Sequence, residues 1–425
     1  MQKSLTIYNL FPRLYSSVDT WAASAERAAG MGFNSIFLNP ISRPGMSRSL
    51  YSVADFFAYN ADFFPRPTRA EEELRRFLAR CRELGLDVFM DLVANHTAID
   101  SPLTQAHGDW YEHDERGEIV RPGCWEDDHQ VTWGDLAQLD HAGTSDRAGL
   151  WGYFREVVRH ALALGFTGFR CDAAYQIETD FWGELISNAK RDYPHALFLA
   201  ETLGCSLDDT RRMAACGFDY IFNSSKWWDL RADWCLDAHE VTRHLAPSIA
   251  FAETHDTARL MHEVHGCEAA FLQRLDLACF FSAGFMALCG QEYGFTRKPD
   301  VVRTTSADWE NTGHDYAAHL ARVLATKARL APLHTESAII PVPLPHDSIL
   351  GFLKEWEGQR VLLLLNTDVT HTQQMPPLQL APLLLAPSAR DHSPRLPIAD
   401  PLNTWSDPLQ PGEVKVFAAD NCLEP

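Results

Sequence analysis

From Thr6 to Leu330 the chain repeats one unit: a short apolar run with strand character, followed by a stretch with helical periodicity. Eight apolar runs stand out, over 6–10, 35–38, 86–93, 166–172, 196–201, 218–222, 248–252 and 284–288. Leu74, Phe77, Leu78 and Cys81 follow a Thr68–Glu71 capping box at helical spacing, and Gly85 stops the pattern. A second helical pattern carries Phe154, Val157, Val158, Ala161 and Leu162 and stops at Gly165, and a third carries Phe181, Leu185 and Ile186. Near-continuous apolar strands between helices imply a parallel sheet with both faces covered. Eight such units over this length predict an α/β fold closed into a (β/α)8 TIM barrel.

Two stretches break the rhythm. Between Asn95 and Asp146 there is little helical period but much Trp, Gly, Asp and His, so 97–145 is expected to be an excursion after the third barrel strand. After Leu330 proline and short β-prone runs dominate, notably 348–353 and 361–365. The expected division is a barrel over 1–332, with the excursion inserted, and a C-terminal antiparallel β-sandwich over 333–425. The Leu/Pro-rich patch from Pro376 to Pro387 is expected to be strands and turns of that sandwich.

Charge narrows the partners. Of 425 residues, 37 are Lys or Arg and 57 are Asp or Glu, for a net charge of −20. Such a surface repels phosphate backbones and anionic lipid, so neither nucleic acid nor a membrane is expected as a partner. A neutral polyol meets no such repulsion, and 12 Trp, 11 Tyr and 24 Phe can offer flat apolar faces to one. The ten cysteines include no Cys-x-x-Cys pair, and Cys81, Cys171, Cys216, Cys279 and Cys289 sit in apolar patterns, as core thiols do. With no export signal at Met1, a reducing cytoplasm is the expected location.

In a barrel of this kind the active site lies where the strands end. Asp91 ends the third strand, with Asn95 and His96 beyond it; Arg170 and Asp172 end the fourth; Glu201 ends the fifth; His255 and Asp256 follow the seventh. Any one of these has an ordinary structural explanation. A lone Asp after a strand is commonly a helix cap, Arg170 an ion-pair partner, each His a satisfied core residue. Several independent strands ending in acid at one face weigh against that. Paired carboxylates without a Cys/His ligand set suit acetal chemistry, with one acid protonated for the leaving oxygen and one ionised to meet the oxocarbenium-like carbon. Arg170 is placed to keep Asp172 ionised.

These segments resemble the α-amylase family of (β/α)8-barrel glycoside hydrolases. Asp91-Leu92-Val93-Ala94-Asn95-His96 is similar to the family's Asp-x-x-x-Asn-His, and Gly168-Phe169-Arg170-Cys171-Asp172 to its Gly-x-Arg-x-Asp. Phe198-Leu199-Ala200-Glu201 and His255-Asp256 resemble the third and fourth segments. Tyr51, Gly290-Gln291-Glu292 and Pro411-Gly412-Glu413-Val414 resemble further family stretches, with Leu50 where the family has Gly. The resemblance implies Asp172 as nucleophile, Glu201 as general acid/base and Asp256 as transition-state stabiliser. It also implies substrate-binding roles for Tyr51, His96, Arg170 and His255.

The implied activity is retaining hydrolysis of α-1,4-glucosidic bonds in maltooligosaccharides or glucans, through a covalent glycosyl-enzyme. One alternative is transfer to a glucan, or a maltosyltransferase using maltose 1-phosphate. That likeness runs from Phe181-Trp182 to Ser225-Lys226-Trp227-Trp228, although His255-Asp256 is hydrolase-like. A second alternative is a non-catalytic glucan-binding protein on the same fold. No cofactor is expected. The family's calcium-dependent members carry His and Asp where this chain has Gln176 and Gln138, so a structural calcium is not favoured, although Asn95, Asp127 and Asp128 remain as oxygen donors. Lys226 is a candidate for phosphate, set against the commoner solvated lysine opening a helix. Trp125, Trp133, Trp227 and Trp228 are candidate sugar platforms, set against core packing.

Overall fold

A computed structural model describes residues 4–126 and 129–419. Its eight barrel strands are β1 (Thr6–Leu10), β2 (Ser35–Leu38), β3 (Asp87–Leu92), β4 (Gly168–Cys171), β5 (Leu197–Ala200), β6 (Tyr220–Phe222), β7 (Ser248–Phe251) and β8 (Gly284–Leu288). They pair in the closed order β1-β8-β7-β6-β5-β4-β3-β2, each pair in parallel. A helix follows each strand: α1 (Val18–Met31), α2 (Ala70–Glu83), α3 (Arg147–Leu164), α4 (Thr179–Asp192), α5 (Leu207–Ala214), α6 (Trp234–Thr242), α7 (Glu268–Phe281) and α8 (Ala317–Arg329). The (β/α)8 barrel expected from the alternating pattern is the fold.

Two-residue periodicity sorts each strand between an inner and an outer face. Ile7, Phe37, Phe89, Leu199, Tyr220, Phe222, Ile249, Phe251 and Met286 fill the barrel's interior as one cluster. Phe169, Cys171, Phe198 and Ala200 instead pack outward with the helices. The positions two residues beyond the interior apolar ones are polar: Asn9 after Ile7, Asn39 after Phe37, Asp91 after Phe89, Glu201 after Leu199 and Glu253 after Phe251. Arg170 pairs in register with Asp91 on one side and Leu199 on the other, so it faces inward too. The apolar plug therefore gives way to a polar layer at the C-terminal ends of the strands.

Helix α2 starts differently from the expectation. Pro67–Arg69 form a 3-10 turn, α2 begins at Ala70, and no side chain caps it, so the Thr68–Glu71 box does not form. Pro67 sets the turn, which takes Thr68 out of the cap position. Glu71, Glu72 and Glu73 complement the helix dipole instead, and buried Glu73 pairs with Arg66 at 2.6 Å. The buried face is the expected one, Leu74, Phe77, Leu78 and Cys81. Trp21 of α1 packs edge-on against Phe77, with centroids 5.5 Å apart.

After β3 the chain leaves the barrel and returns through an antiparallel pairing of His96–Ala98 with Leu136–Gln138. Beyond the barrel a five-stranded antiparallel sheet forms from β9 (Ala338–Val342), β10 (Ile349–Trp356), β11 (Gln359–Asn366), β12 (Ala389–Asp391) and β13 (Val414–Ala419), in the order β9-β10-β11-β13-β12. Strand β11 shows why its run is apolar throughout. Val361, Leu363 and Leu365 join the barrel's outer core, while Leu362 and Leu364 join a second cluster with Leu380, Leu384, Trp405 and Phe417. That second layer is a two-stranded ribbon (Leu378–Gln379 with Thr404–Trp405) and one helical turn, Leu380–Leu384. The turn corrects the expectation of strands and turns alone over 376–387: Leu380 and Leu384, four apart, share one face and bury it. The sheet is also bonded to the barrel. Lys354 of β10 donates to the carbonyls of Phe280 and Phe281 at 2.9 and 2.6 Å, and Gln273 of α7 donates to the Asn366 carbonyl at 2.5 Å.

Candidate active site

At the C-terminal mouth, one guanidinium organises three acids. Arg170 Nη1 donates to Asp91 Oδ1 at 3.0 Å and to Asp172 Oδ1 at 2.5 Å, and its Nη2 lies 3.9 Å from Glu201 Oε2. The side chains of Arg170 and Asp91 are 5% and 0% exposed, those of Asp172 and Glu201 13% and 14%. The inner pair is thus sealed off while the two outer carboxylates reach the surface. Backbone supports both. Asp172 N–H bonds to the Leu92 carbonyl and Glu201 N–H to the Cys171 carbonyl, which extends the barrel ladder through both acids. Ala173 takes a left-handed conformation at φ 42°, costly for a residue with a Cβ. Its N–H donates to Glu201 Oε2 at 3.0 Å, and Leu203 N–H holds Oε1 at 3.0 Å.

Burial raises the Glu201 carboxyl to about 7; Arg170 pulls the other way, and the nearby Asp172 and Asp256 push it further up. Asp256 differs. Burial opposes its charge, but His255, with Nε2 3.0 Å from Oδ2, keeps its carboxyl well below the usual range. Two carboxylates at one mouth are thereby set apart in acidity, the condition that separates an acid from an ionised partner.

Tyr51 closes the floor. Its hydroxyl donates to Asp91 Oδ2 at 2.6 Å, accepts from Asn39 Nδ2 at 2.9 Å, and lies 2.6 Å from His255 Nε2. A phenol has one proton, so with Asp91 as its acceptor the His255 contact needs the proton on Nε2. The Tyr51 and His255 rings stack with an interplanar angle of 1°. His96 is buried, burial lowers its pKa although Asp172 opposes this, and its Nε2 has no hydrogen-bond partner. A neutral imidazole with a free buried nitrogen can bond a ligand hydroxyl.

The structure brings Tyr51, His96, Arg170, Asp172, Glu201, His255 and Asp256 to one mouth. Sequence reading passed over Asn39 and the Ala173 and Leu203 amides. Asn39, two residues beyond inward-facing Phe37, carried the same period-2 signal as Asp91 and was legible. The two amides depend on loop conformation and were not.

Two other candidates are corrected. Trp228 is no sugar platform: it is buried against Phe281 and Phe352 and donates Nε1–H to the Ala232 carbonyl at 2.7 Å. Lys226 is neither solvated nor the start of an α-helix. It sits in a 3-10 turn, its side chain is 2% exposed, and Nζ meets both Glu263 oxygens at 2.8 and 2.9 Å. Trp227 is half exposed and Trp133 partly so. The side chain of Trp125, with Asp127 and Asp128, lies outside the described residues.

The positions that would hold calcium hold each other instead. Asn95 Nδ2 donates to Gln176 Oε1 at 2.8 Å, and Gln138 Nε2 donates to Asn95 Oδ1 at 2.9 Å and to the Asn95 carbonyl at 3.1 Å. Mutually bonded carboxamides do not fit calcium, which wants several free hard oxygens, carboxylates among them. Among the described residues no group of three or more His, Cys, Asp or Glu could hold a metal ion. No helix among them is long and apolar enough to cross a membrane.

Known proteins resemble this chain in sequence and in fold. Residues 1–114 match the family described as glycogen debranching enzyme, glucanotransferase domain. An α-1,4-glucan:maltose-1-phosphate maltosyltransferase of Burkholderia pseudomallei is 25% identical over 396 residues, 87% of this chain and 34% of that protein. The α-amylase MalA of Haloarcula japonica is 24% identical over 392 residues, 85% of this chain and 55% of its own. The chain thus spans about a third to a half of the length of these relatives. Among solved structures, an α-amylase from Lactobacillus plantarum superposes with a TM-score of 0.79 at 21% identity, covering 98% of both chains. In fold this chain is a (β/α)8 barrel like that α-amylase, and in sequence it is similar to proteins named for α-glucan maltosyltransfer, glucan transfer and α-amylase activity.

Proposed function

We propose that the chain is a retaining, α-glucan-active glycoside hydrolase that cleaves α-1,4-glucosidic bonds of maltooligosaccharides or glucans. The observation that carries this reading is the shared guanidinium: Arg170 contacts Asp172 directly and reaches towards Glu201, whose carboxyl burial raises to about 7. In the proposed reaction Asp172 attacks the anomeric carbon, and that bond forms as the bond to the bridging oxygen breaks. Glu201 gives its proton to that oxygen and later takes one from water, which displaces Asp172. Asp256 stays ionised beside the positive carbon, while His96 Nε2 and His255 hold sugar hydroxyls. The carboxamide cluster at Asn95, Gln138 and Gln176 supports a mouth that is held together without calcium.

Transfer is the second reading, favoured by the names of the relatives, a maltosyltransferase and a glucanotransferase domain. The same glycosyl-enzyme would serve both, and the acceptor decides. A non-catalytic glucan-binding role is the third; the presence of all three acids speaks against it. Sizing the products of maltoheptaose digests with and without inorganic phosphate separates these readings. Shorter chains alone support hydrolysis, whereas sugar phosphate or chains longer than the input establish transfer. Asp172→Ala should lower kcat by about 10⁴-fold or more while oligosaccharide binding persists. Binding without turnover in the wild type would establish the third reading.

A further inference from the structure

Two fully buried carboxamides lead to Tyr51. Asn9 of β1 and Asn39, just past β2, are both 0% exposed. Asn9 Nδ2 donates to the Phe37 carbonyl at 3.1 Å and to Asn39 Oδ1 at 2.8 Å. Asn39 Nδ2 donates to the Tyr51 hydroxyl at 2.9 Å, and that hydroxyl donates to Asp91 Oδ2 at 2.6 Å. The chain ends on a guanidinium, because Arg170 Nη1 bonds both Asp91 Oδ1 and Asp172 Oδ1.

A carboxamide can be turned over, exchanging oxygen for nitrogen, so such a chain needs a fixed reference to have a direction. The Phe37 carbonyl supplies it. A carbonyl only accepts, so Asn9 must present its amide there, and the second N–H of that amide reaches Asn39 Oδ1. Turning Asn9 over would set its oxygen against two oxygens. Both of its side-chain contacts accordingly lie on the amide, and buried Asn9 Oδ1 has no hydrogen-bond partner among the described residues. With Asn39 Oδ1 engaged, Asn39 can offer Tyr51 only an N–H. In the reverse orientation Asn39 Oδ1 would compete with Asp91 for the phenol's single proton. As it stands, that proton goes to Asp91. His255 Nε2, 2.6 Å from the same hydroxyl and 3.0 Å from Asp256 Oδ2, then faces two acceptors and carries a proton.

We propose that Asn39 is a positioning residue for the nucleophile: locked by Asn9 and the Phe37 carbonyl, it directs the Tyr51 proton to Asp91 and so leaves Arg170 free to hold Asp172. This role rests on the glycosidase reading above, in which Asp172 attacks C1. A buried carboxylate needs donors, and Asp91 has a phenol on Oδ2 and a guanidinium on Oδ1. Deprived of the phenol's proton, Asp91 has Arg170 to lean on, and the guanidinium is drawn away from Asp172. Asn39 therefore acts through Tyr51, Asp91 and Arg170 and touches no reacting atom.

Asn39→Asp keeps an acceptor for Asn9 and replaces the donor to Tyr51 by a second acceptor. On maltoheptaose at pH 7 its kcat should fall about tenfold or more, with KM within about twofold of wild type, since a hydrogen bond in the support of the nucleophile is lost and no sugar contact is. Around Tyr51 the new carboxyl meets Asp91, Asp172, Asp256, His255 and Arg170. As the pH falls and this carboxyl takes up a proton it becomes a donor again, so kcat relative to wild type at the same pH should climb back. Asn39→Leu, with neither charge nor donor, separates direction from charge: it should be slow at neutral pH and show no recovery. An Asn39→Leu protein with wild-type kcat, or an Asn39→Asp protein that does not recover, overturns the proposal. One measurement needs no folded variant at position 39. Nitrogen-15 NMR of histidine-labelled wild type, with the signal assigned by its loss in His255→Asn, should find His255 protonated at Nε2. A bare Nε2 with the proton on Nδ1 overturns the proposal even in an active enzyme. A wild type inert on every α-glucan, whatever the state of His255, removes the glycosidase reading and the positioning role with it.

Discussion

Glu201 shows how burial, with like charges close by, can set one carboxyl's acidity apart from its neighbour's. Two backbone N–H groups and a guanidinium favour its charged form, yet desolvation, with Asp172 and Asp256 close by, leaves it at about 7. The sign for activity follows directly. In the proposed reaction bond cleavage needs Glu201 protonated, so kcat/KM should hold below pH 7 and fall about tenfold per pH unit well above it. A pH–rate profile checks this; Glu201→Gln should lack that limb and retain only residual activity, and an unaltered limb in that variant would assign it to another group. At this scale the motifs were readable because chemistry restricts residue type: an acid, a base and a cation at strand ends have few substitutes. Ala173 was unreadable because its contribution is a strained backbone N–H, and alanine announces nothing about φ.

At the scale of elements, two polar clusters do work that apolar packing cannot. Asn95, Gln138 and Gln176 join the end of β3, the returning strand of the excursion and the turn after β4. Thermal unfolding should therefore be the same with calcium and with a chelator, and a chelator-induced fall in midpoint would refute the carboxamide account. Asn95→Ala should cost about 1–3 kcal/mol by stranding both glutamine amides, measurable by urea unfolding. The second cluster lies at the end of α7, where Lys327 donates to the carbonyls of Cys279, Ser282 and Leu333, and Lys354 to those of Phe280 and Phe281. A helix ends with unpaired carbonyls, and here two buried amino groups pair them. Lys354→Met should cost about 2–4 kcal/mol in the same measurement, since it leaves these acceptors without donors. Helix interiors and stops were readable from periodicity and from Gly85 and Gly165, whereas the start of α2 was not. A cap depends on where the chain enters, and Pro67 moved that point.

Across the whole molecule, the C-terminal sheet and the barrel share one core. Phe352, Val361, Leu363, Val414 and Val416 belong to the same buried cluster as the outward faces of β4 and β5. One cooperative calorimetric transition is therefore expected for the full chain, and a chain ending at Thr335 should expose that apolar face and fail to fold. Two resolved transitions would show that the parts are independent. The sequence by itself determined the eight strands, the closed parallel order and the acids at their ends, because period, apolar runs and scarce catalytic residue types are local properties. Only the tertiary structure decided which tryptophan is buried, which lysine is paired and which carboxamides bond one another. Those outcomes depend on partners tens to hundreds of residues away, such as Glu263 for Lys226 and Phe352 for Trp228, and no local pattern encodes the approach of two distant segments.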